Sequence, residues 1–216
     1  MAEQTGASQP LRLSGALTVY QKGWVTTGHG AICRPIEVGS GSVTLGADAD
    51  WSYGPDFTTY SDNTTTADER ALRVAGGATL TIDTYDSAAA EARTVELREL
   101  AVGGGTLRKS GEGVLALAAA DGANAVALVH DGGTLRIDAV QTFTTATFAA
   151  GSSLAVSSEI LATLTTSWTT LIVADVVTGV PASADANLAV RVITDAETGK
   201  CLVQMRRIPG LVIILR

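Results

Sequence analysis

The chain has 216 residues, 46% hydrophobic and 17% charged, with a formal net charge of −7. That balance excludes a disordered chain, and scattered Lys and Arg on an acidic background exclude the basic footprint of a nucleic-acid-binding protein. With 23 glycines and only 5% aromatics, the core must be built from Leu, Val, Ile and Ala, which suits thin layers of short strands.

Residues 1–10 are polar and small and are expected to form an arm. Leu11-Arg12-Leu13 and Ala16-Leu17-Thr18-Val19-Tyr20 then alternate with the period of two that marks half-buried strands. The glycine-punctuated stretch to about residue 34 is expected to be an irregular N-terminal cap, since an open first edge needs cover. Ile36-Glu37-Val38 and Ser42-Val43-Thr44-Leu45 restore the alternation. Residues 46–70 break it: they are turn-rich and acidic, hold Trp51, Tyr53, Phe57 and Tyr60, and predict a loop insertion. From Leu72 the pattern returns, with a corner at Gly76-Gly77, strand spacing over 79–82, and a strand, corner, strand sequence from Thr94-Val95-Glu96-Leu97 across a phase slip to Leu100 and Val102.

The stretch from Val102 to Ala139 carries the architectural signal. Gly104-Gly105-Thr106-Leu107-Arg108 recurs as Gly132-Gly133-Thr134-Leu135-Arg136, and internal repeats predict a solenoid. Leu80, Leu107, Leu135 and Leu154 each open a glycine-led strand, at intervals of 27, 28 and 19 residues. They are expected to stack as one core ladder. Beyond Ala139 the units become less regular, with a buried strand over 169–174 and a loop over 181–187. Leu188–Thr194, a turn at 195–199 and Lys200–Arg206 read as a hairpin, followed by the apolar strand Leu211–Leu215. The expected organisation is therefore all-β: a β-solenoid body over 1–187 and an antiparallel meander cap over 188–216. Leu211–Leu215 is apolar on both faces, so the body or a second copy must cover it.

The run Gly104-Gly105-Thr-Leu-Arg-Lys-Ser-Gly-Glu-Gly-Val-Leu-Ala-Leu117, with Asn124 and a second Gly133-Thr134-Leu135, resembles the autotransporter-associated β-strand repeat over about residues 102–138. Where that family has a tyrosine-glycine-threonine phrase after the asparagine, this chain reads Ala125-Val126-Ala127-Leu128. The resemblance implies a right-handed parallel β-helix in an exported bacterial surface protein, extracellular or at the cell surface, serving as a scaffold or adhesin without catalytic residues.

Chemistry-bearing residues are sparse. His29 and His130 have no metal-ligand spacing, and His130-Asp131, before a glycine corner, is expected to be an exposed turn pair. Cys33 and Cys201 are expected to be unpaired. No P-loop or nucleophile elbow is present, so neither catalysis nor a cofactor nor a metal site is expected. The ligand-binding candidates are Asp48, Asp50, Trp51, Tyr53, Asp56 and Tyr60 in the loop insertion. Their carboxylates and rings suit a glycan, or a glycoside-active site in the enzymatic alternative. Expected partners are glycans, another surface protein, or a second copy through Leu211–Leu215. No segment approaches the ~20 apolar residues of a spanning helix, and Met1–Gly6 has no basic or apolar leader region.

Overall fold

The computed structural model describes residues 11–14, 17–19, 36–46, 72–86, 90–97, 100–119 and 122–209. They are predominantly strand. In chain order these begin with β1 (Leu11–Ser14), β2 (Leu17–Val19), β3 (Ile36–Ser40), β4 (Ser42–Leu45), β5 (Leu72–Val74) and β6 (Thr79–Asp83). The short pair β7 (Tyr85–Asp86) and β8 (Glu91–Ala92) precedes β9 (Thr94–Leu97), β10 (Ala101–Val102), β11 (Thr106–Ser110) and β12 (Val114–Leu117). Then come β13 (Ala127–His130), β14 (Thr134–Ile137), β15 (Gln141–Phe148) and β16 (Ser153–Val156). Helix α1 (Ser158–Thr163) leads to β17 (Thr169–Thr178), β18 (Ala182–Ser183), β19 (Leu188–Thr194) and β20 (Cys201–Arg207).

Three sheets collect nearly all of these strands. The first has the order β1-β3-β5-β10, the second β19-β20-β17-β15-β13-β11-β6-β4-β2, and the third β18-β16-β14-β12-β9. Every pairing in the first and third is parallel, as is every pairing in the second up to β17. From β5 to β12 the strands of these sheets visit first, second, third, first, second and third in turn. Beyond β12, from β13 to β18, the chain alternates between the second and third.

The strands stack residue for residue, so the side-chain alternation produces continuous inward rows. In the second sheet Val43, Leu80, Leu107, Leu128 and Ala146 are successive register partners. In the third, Val95, Leu115, Leu135 and Leu154 are. Leu80, Leu107, Leu135 and Leu154 are all 0% exposed, and full burial of a leucine contributes about 1.5–3 kcal/mol before entropy is counted.

The single ladder expected from these four leucines is thus two. Leu80 and Leu107 are neighbours in the second sheet, whereas Leu135 and Leu154 are neighbours in the third. The repeated Gly-Gly-Thr-Leu-Arg phrase opens strands on different faces, because it encodes a corner followed by a strand and either sheet accepts that instruction. The return interval also changes. It is 27 residues from Leu80 to Leu107, a pass that includes β10 and the antiparallel β7–β8 excursion, but 21 from Leu107 to Leu128.

Two further segments depart from expectation. Within 181–187, read as a loop, Ala182–Ser183 pairs in parallel with β16. Residues 158–163 form a helix, because Ser157 caps it by accepting from the Ile160 amide at 3.4 Å and Glu159 lies in its first turn. The hairpin over 188–207 forms as the sequence predicts, β19 pairing antiparallel with β20, and β20 joins the second sheet antiparallel to β17. Residues 1–10, the irregular stretch to 34, the 46–70 insertion beyond Gly46 and the 211–215 strand lie outside the described residues.

Candidate functional site

The second inward row of the second sheet runs Leu45, Ile82, Lys109, His130, Phe148. Two polar side chains therefore occupy consecutive rungs of an otherwise apolar row, and both are 0% exposed. The Lys109 ammonium donates to Thr84 Oγ1 at 2.8 Å, to the Ser110 carbonyl at 3.1 Å and to the Gly111 carbonyl at 2.6 Å. Those acceptors satisfy its three protons. Burial lowers its pKa from 10.5 to about 8, with Asp83 pulling in the opposite direction.

His130 is not the exposed turn residue that its glycine-led neighbourhood predicts. It ends β13, two residues after the inward Leu128, so strand parity turns it inside. Its Nε2 lies 3.1 Å from the Gly132 carbonyl. A carbonyl can only accept, so Nε2 carries the proton and Nδ1 is a bare, buried lone pair with no hydrogen-bond partner. Protonation would bury a second N–H beside the Lys109 ammonium. Burial first, and Lys109 second, lower the His130 pKa from 6.5 to about 4. Phe148 covers the ring edge-on at 6.1 Å.

Gly133 closes this corner. Its φ is +66°, and a Cβ there would stand 2.6 Å from Lys109 Nζ and from the Gly111 and Gly113 carbonyl oxygens. At Gly132 a Cβ would meet only the Gly111 oxygen, at 3.8 Å. Gly133→Ala is therefore expected to lower the unfolding midpoint in a thermal melt by several degrees, a loss of at least ~1 kcal/mol. Gly132→Ala is expected to melt like the parent, and equal effects at both positions would contradict this geometry.

Another pass carries a second internal polar group. Asn124 accepts from the Ala101 amide at 2.9 Å and donates to Gln141 Oε1 at 2.9 Å; Gln141 donates to the carbonyls of Ala119 and Ala139 at 3.1 and 3.0 Å. These amides link successive passes through otherwise unpaired backbone groups. Like Lys109, they are satisfied by the chain itself and present no chemistry to solvent.

Among the described residues the surface offers one organised cluster, on the outward face of the C-terminal hairpin. Val203 and Met205 point into the core, so Arg191, Gln204 and Arg206, which share the opposite parity across the β19–β20 register, point out. The guanidinium carbons of Arg191 and Arg206 lie 4.2 and 4.5 Å from the centroid of the Trp168 ring. Arg191 Nε donates to Gln204 Oε1 at 2.9 Å, and Gln204 Nε2 donates to Thr170 Oγ1 at 3.1 Å. Arg207 donates to the Leu164 and Leu161 carbonyls at 2.9 and 2.7 Å, tying β20 to α1. Among the described residues no carboxylate pairs with any of these three arginines.

Asp48, Asp50, Trp51, Tyr53, Asp56 and Tyr60 lie outside the described residues, as do Cys33 and Leu211–Leu215. Cys201 is a free, half-buried thiol on β20. Among the described residues no three His, Cys, Asp or Glu side chains gather as metal ligands, and no helix is long and apolar enough to cross a membrane. Compared with known proteins, the chain matches no family model, no curated protein and no solved structure. Sequence reasoning missed Lys109 and the arginine face. The signal for Lys109 was available, since Leu107-Arg108-Lys109 alternates and places the lysine inward; Trp168 meets Arg191 and Arg206 only through the hairpin register.

Proposed function

We propose that the three sheets are the faces of a right-handed parallel β-helix closed by the 188–216 meander, and that the chain works as a non-enzymatic scaffold or adhesin-like module at a bacterial surface. The observation that carries this reading is the use made of the buried polar groups. Lys109, Asn124 and Gln141 spend their donors on backbone and side-chain oxygens of the chain's own passes. A buried lysine and histidine in contact with a cleft would point to catalysis; here both sit on rungs of an internal row, where they serve the stacking. The export and surface assignment rests on the repeat resemblance of residues 102–138.

Paired cysteines test the winding. With Cys33 and Cys201 replaced by serine, Arg108→Cys with Val129→Cys and Arg136→Cys with Ala155→Cys are register partners on adjacent parallel strands. Both are expected to oxidise to disulfides, at a Cα separation of about 5 Å. Arg108→Cys with Arg136→Cys lies on two sheets and is expected to stay reduced. Cross-linking of that third pair alone would sink the winding. Turnover of any substrate in a glycan panel, lost on replacing Asp48, Asp50 and Asp56 by asparagine, would replace the scaffold with a glycoside-active enzyme.

A further inference from the structure

The outward face of the hairpin has the chemistry of a binding surface rather than of a solvated strand pair. Arginine side chains at a surface ordinarily stay mobile or meet a carboxylate, and here two are held against one indole ring instead. Stacking and the Arg191–Gln204–Thr170 hydrogen-bond chain fix where their remaining donors point. Arg206 Nε is buried without a partner, and its Nη1 reaches only the Thr166 carbonyl at 3.5 Å. The ordering cost of two long side chains has been met before any partner arrives. Arg191 and Arg206 give the face two positive charges, on a chain whose net charge is −7.

We propose that this face, built from Trp168, Arg191 and Arg206 with the buried Gln204 as their brace, binds a uronic-acid polysaccharide. Three features select that partner. A carboxylate accepts the two parallel N–H bonds of a guanidinium fork. Arg191 and Arg206 are diagonal neighbours on adjacent strands, a spacing of roughly 7–8 Å, which suits a polymer whose carboxylates recur along it. Thr165, Thr166 and Ser167 are exposed beside Trp168 and supply hydroxyl groups for sugar hydroxyls. Nucleic acid fits poorly, since duplex DNA carries one charge per ~1.7 Å and its partners neutralise about 6–10 phosphates. This deepens the scaffold reading by naming a partner: if the cysteine pairs oxidise as expected and glycan binding fails, the scaffold stands and this proposal falls.

The test is calorimetric titration of the full chain at low salt with polygalacturonate, with neutral dextran, dextran sulfate and single-stranded DNA as comparisons. Polygalacturonate is expected to bind and dextran not to. Arg191→Gln with Arg206→Gln is expected to weaken binding by about tenfold or more, in line with loss of two anchoring arginines. Trp168→Ala is expected to weaken it as well, by freeing both side chains. Arg191→Lys with Arg206→Lys keeps the charge and removes the fork; it is expected to lose several-fold, and it decides the matter if the glutamine variant does not melt cooperatively. Absence of polygalacturonate binding, binding unchanged in the lysine variant, or equal or tighter binding of dextran sulfate or DNA would each overturn the proposal.

Discussion

Leu107→Asp is expected to abolish the cooperative thermal transition of this protein. Leu107 is 0% exposed and stands between Leu80 and Leu128, both also 0% exposed, in the inward row of the second sheet. A carboxylate there has apolar neighbours on both sides along the row. An unpaired buried charge costs several kcal/mol, against a total stability of about 5–15 kcal/mol for a domain of ordinary size. The milder Leu107→Ala removes the same contacts without adding charge and is expected to cost about 2–5 kcal/mol in chemical denaturation. The parity control is one residue away. Arg108 points outward, its side chain 48% exposed in an ion pair with Asp131, so Arg108→Ala is expected to cost no more than about 1 kcal/mol. A Leu107→Asp protein that melts near the parent would show that the row is not the core.

The second large effect is a dependence of stability on pH that belongs to His130. Its pKa is about 4 in the folded chain against 6.5 for a free imidazole. Between those values the unfolded chain binds the proton and the folded chain does not, so falling pH favours unfolding. The contribution is complete above pH 6.5 and is lost as pH falls to about 4, a change on the order of 3 kcal/mol. Glu159 and Asp195 also have lowered pKa values, through hydrogen bonds to their carboxylates, but from ordinary values of 4.5 and 3.8, so they act in a more acid window. Denaturation midpoints from pH 7 to 4.5 should therefore fall steeply in the parent and flatten in His130→Gln, which keeps an amide donor for the Gly132 carbonyl without a titrating ring. A slope unchanged by that substitution would remove His130 as its source. Lys109 acts on the alkaline side with the same sign. Its pKa is about 8 folded and 10.5 free, so stability rises across that interval as the unfolded chain holds the proton longer.

Strand positions and the polarity of side chains along them were readable because alternation is local: Thr79 to Ile82 or Val114 to Leu117 needs no partner to announce its inward face. Which strand lies beside which was not. Leu107 and Leu135 share an identical flanking phrase yet belong to different sheets, since the number of corners between them decides the face and corners of similar composition are hard to count. His130 was misjudged because the adjacent glycines outweighed the parity of Leu128-Val129-His130. The arginine face was illegible for a further reason. Trp168 and Arg191 are 23 positions apart in sequence and meet over the ring only because β20 returns between β17 and β19.

Aliphatic rows have a weakness that the Lys109 rung corrects. A strand that slides by two residues along its neighbour still sets leucine against leucine or isoleucine, so oil alone leaves such misalignments nearly degenerate. Slid by two toward Leu80, the ammonium keeps the carbonyls of its own turn but loses Thr84 for a position opposite aliphatic carbon, and a buried cation that loses an acceptor is costly. The lysine therefore acts as an indexing pin: a residue that adds little to the depth of the folded well makes the neighbouring wells shallow.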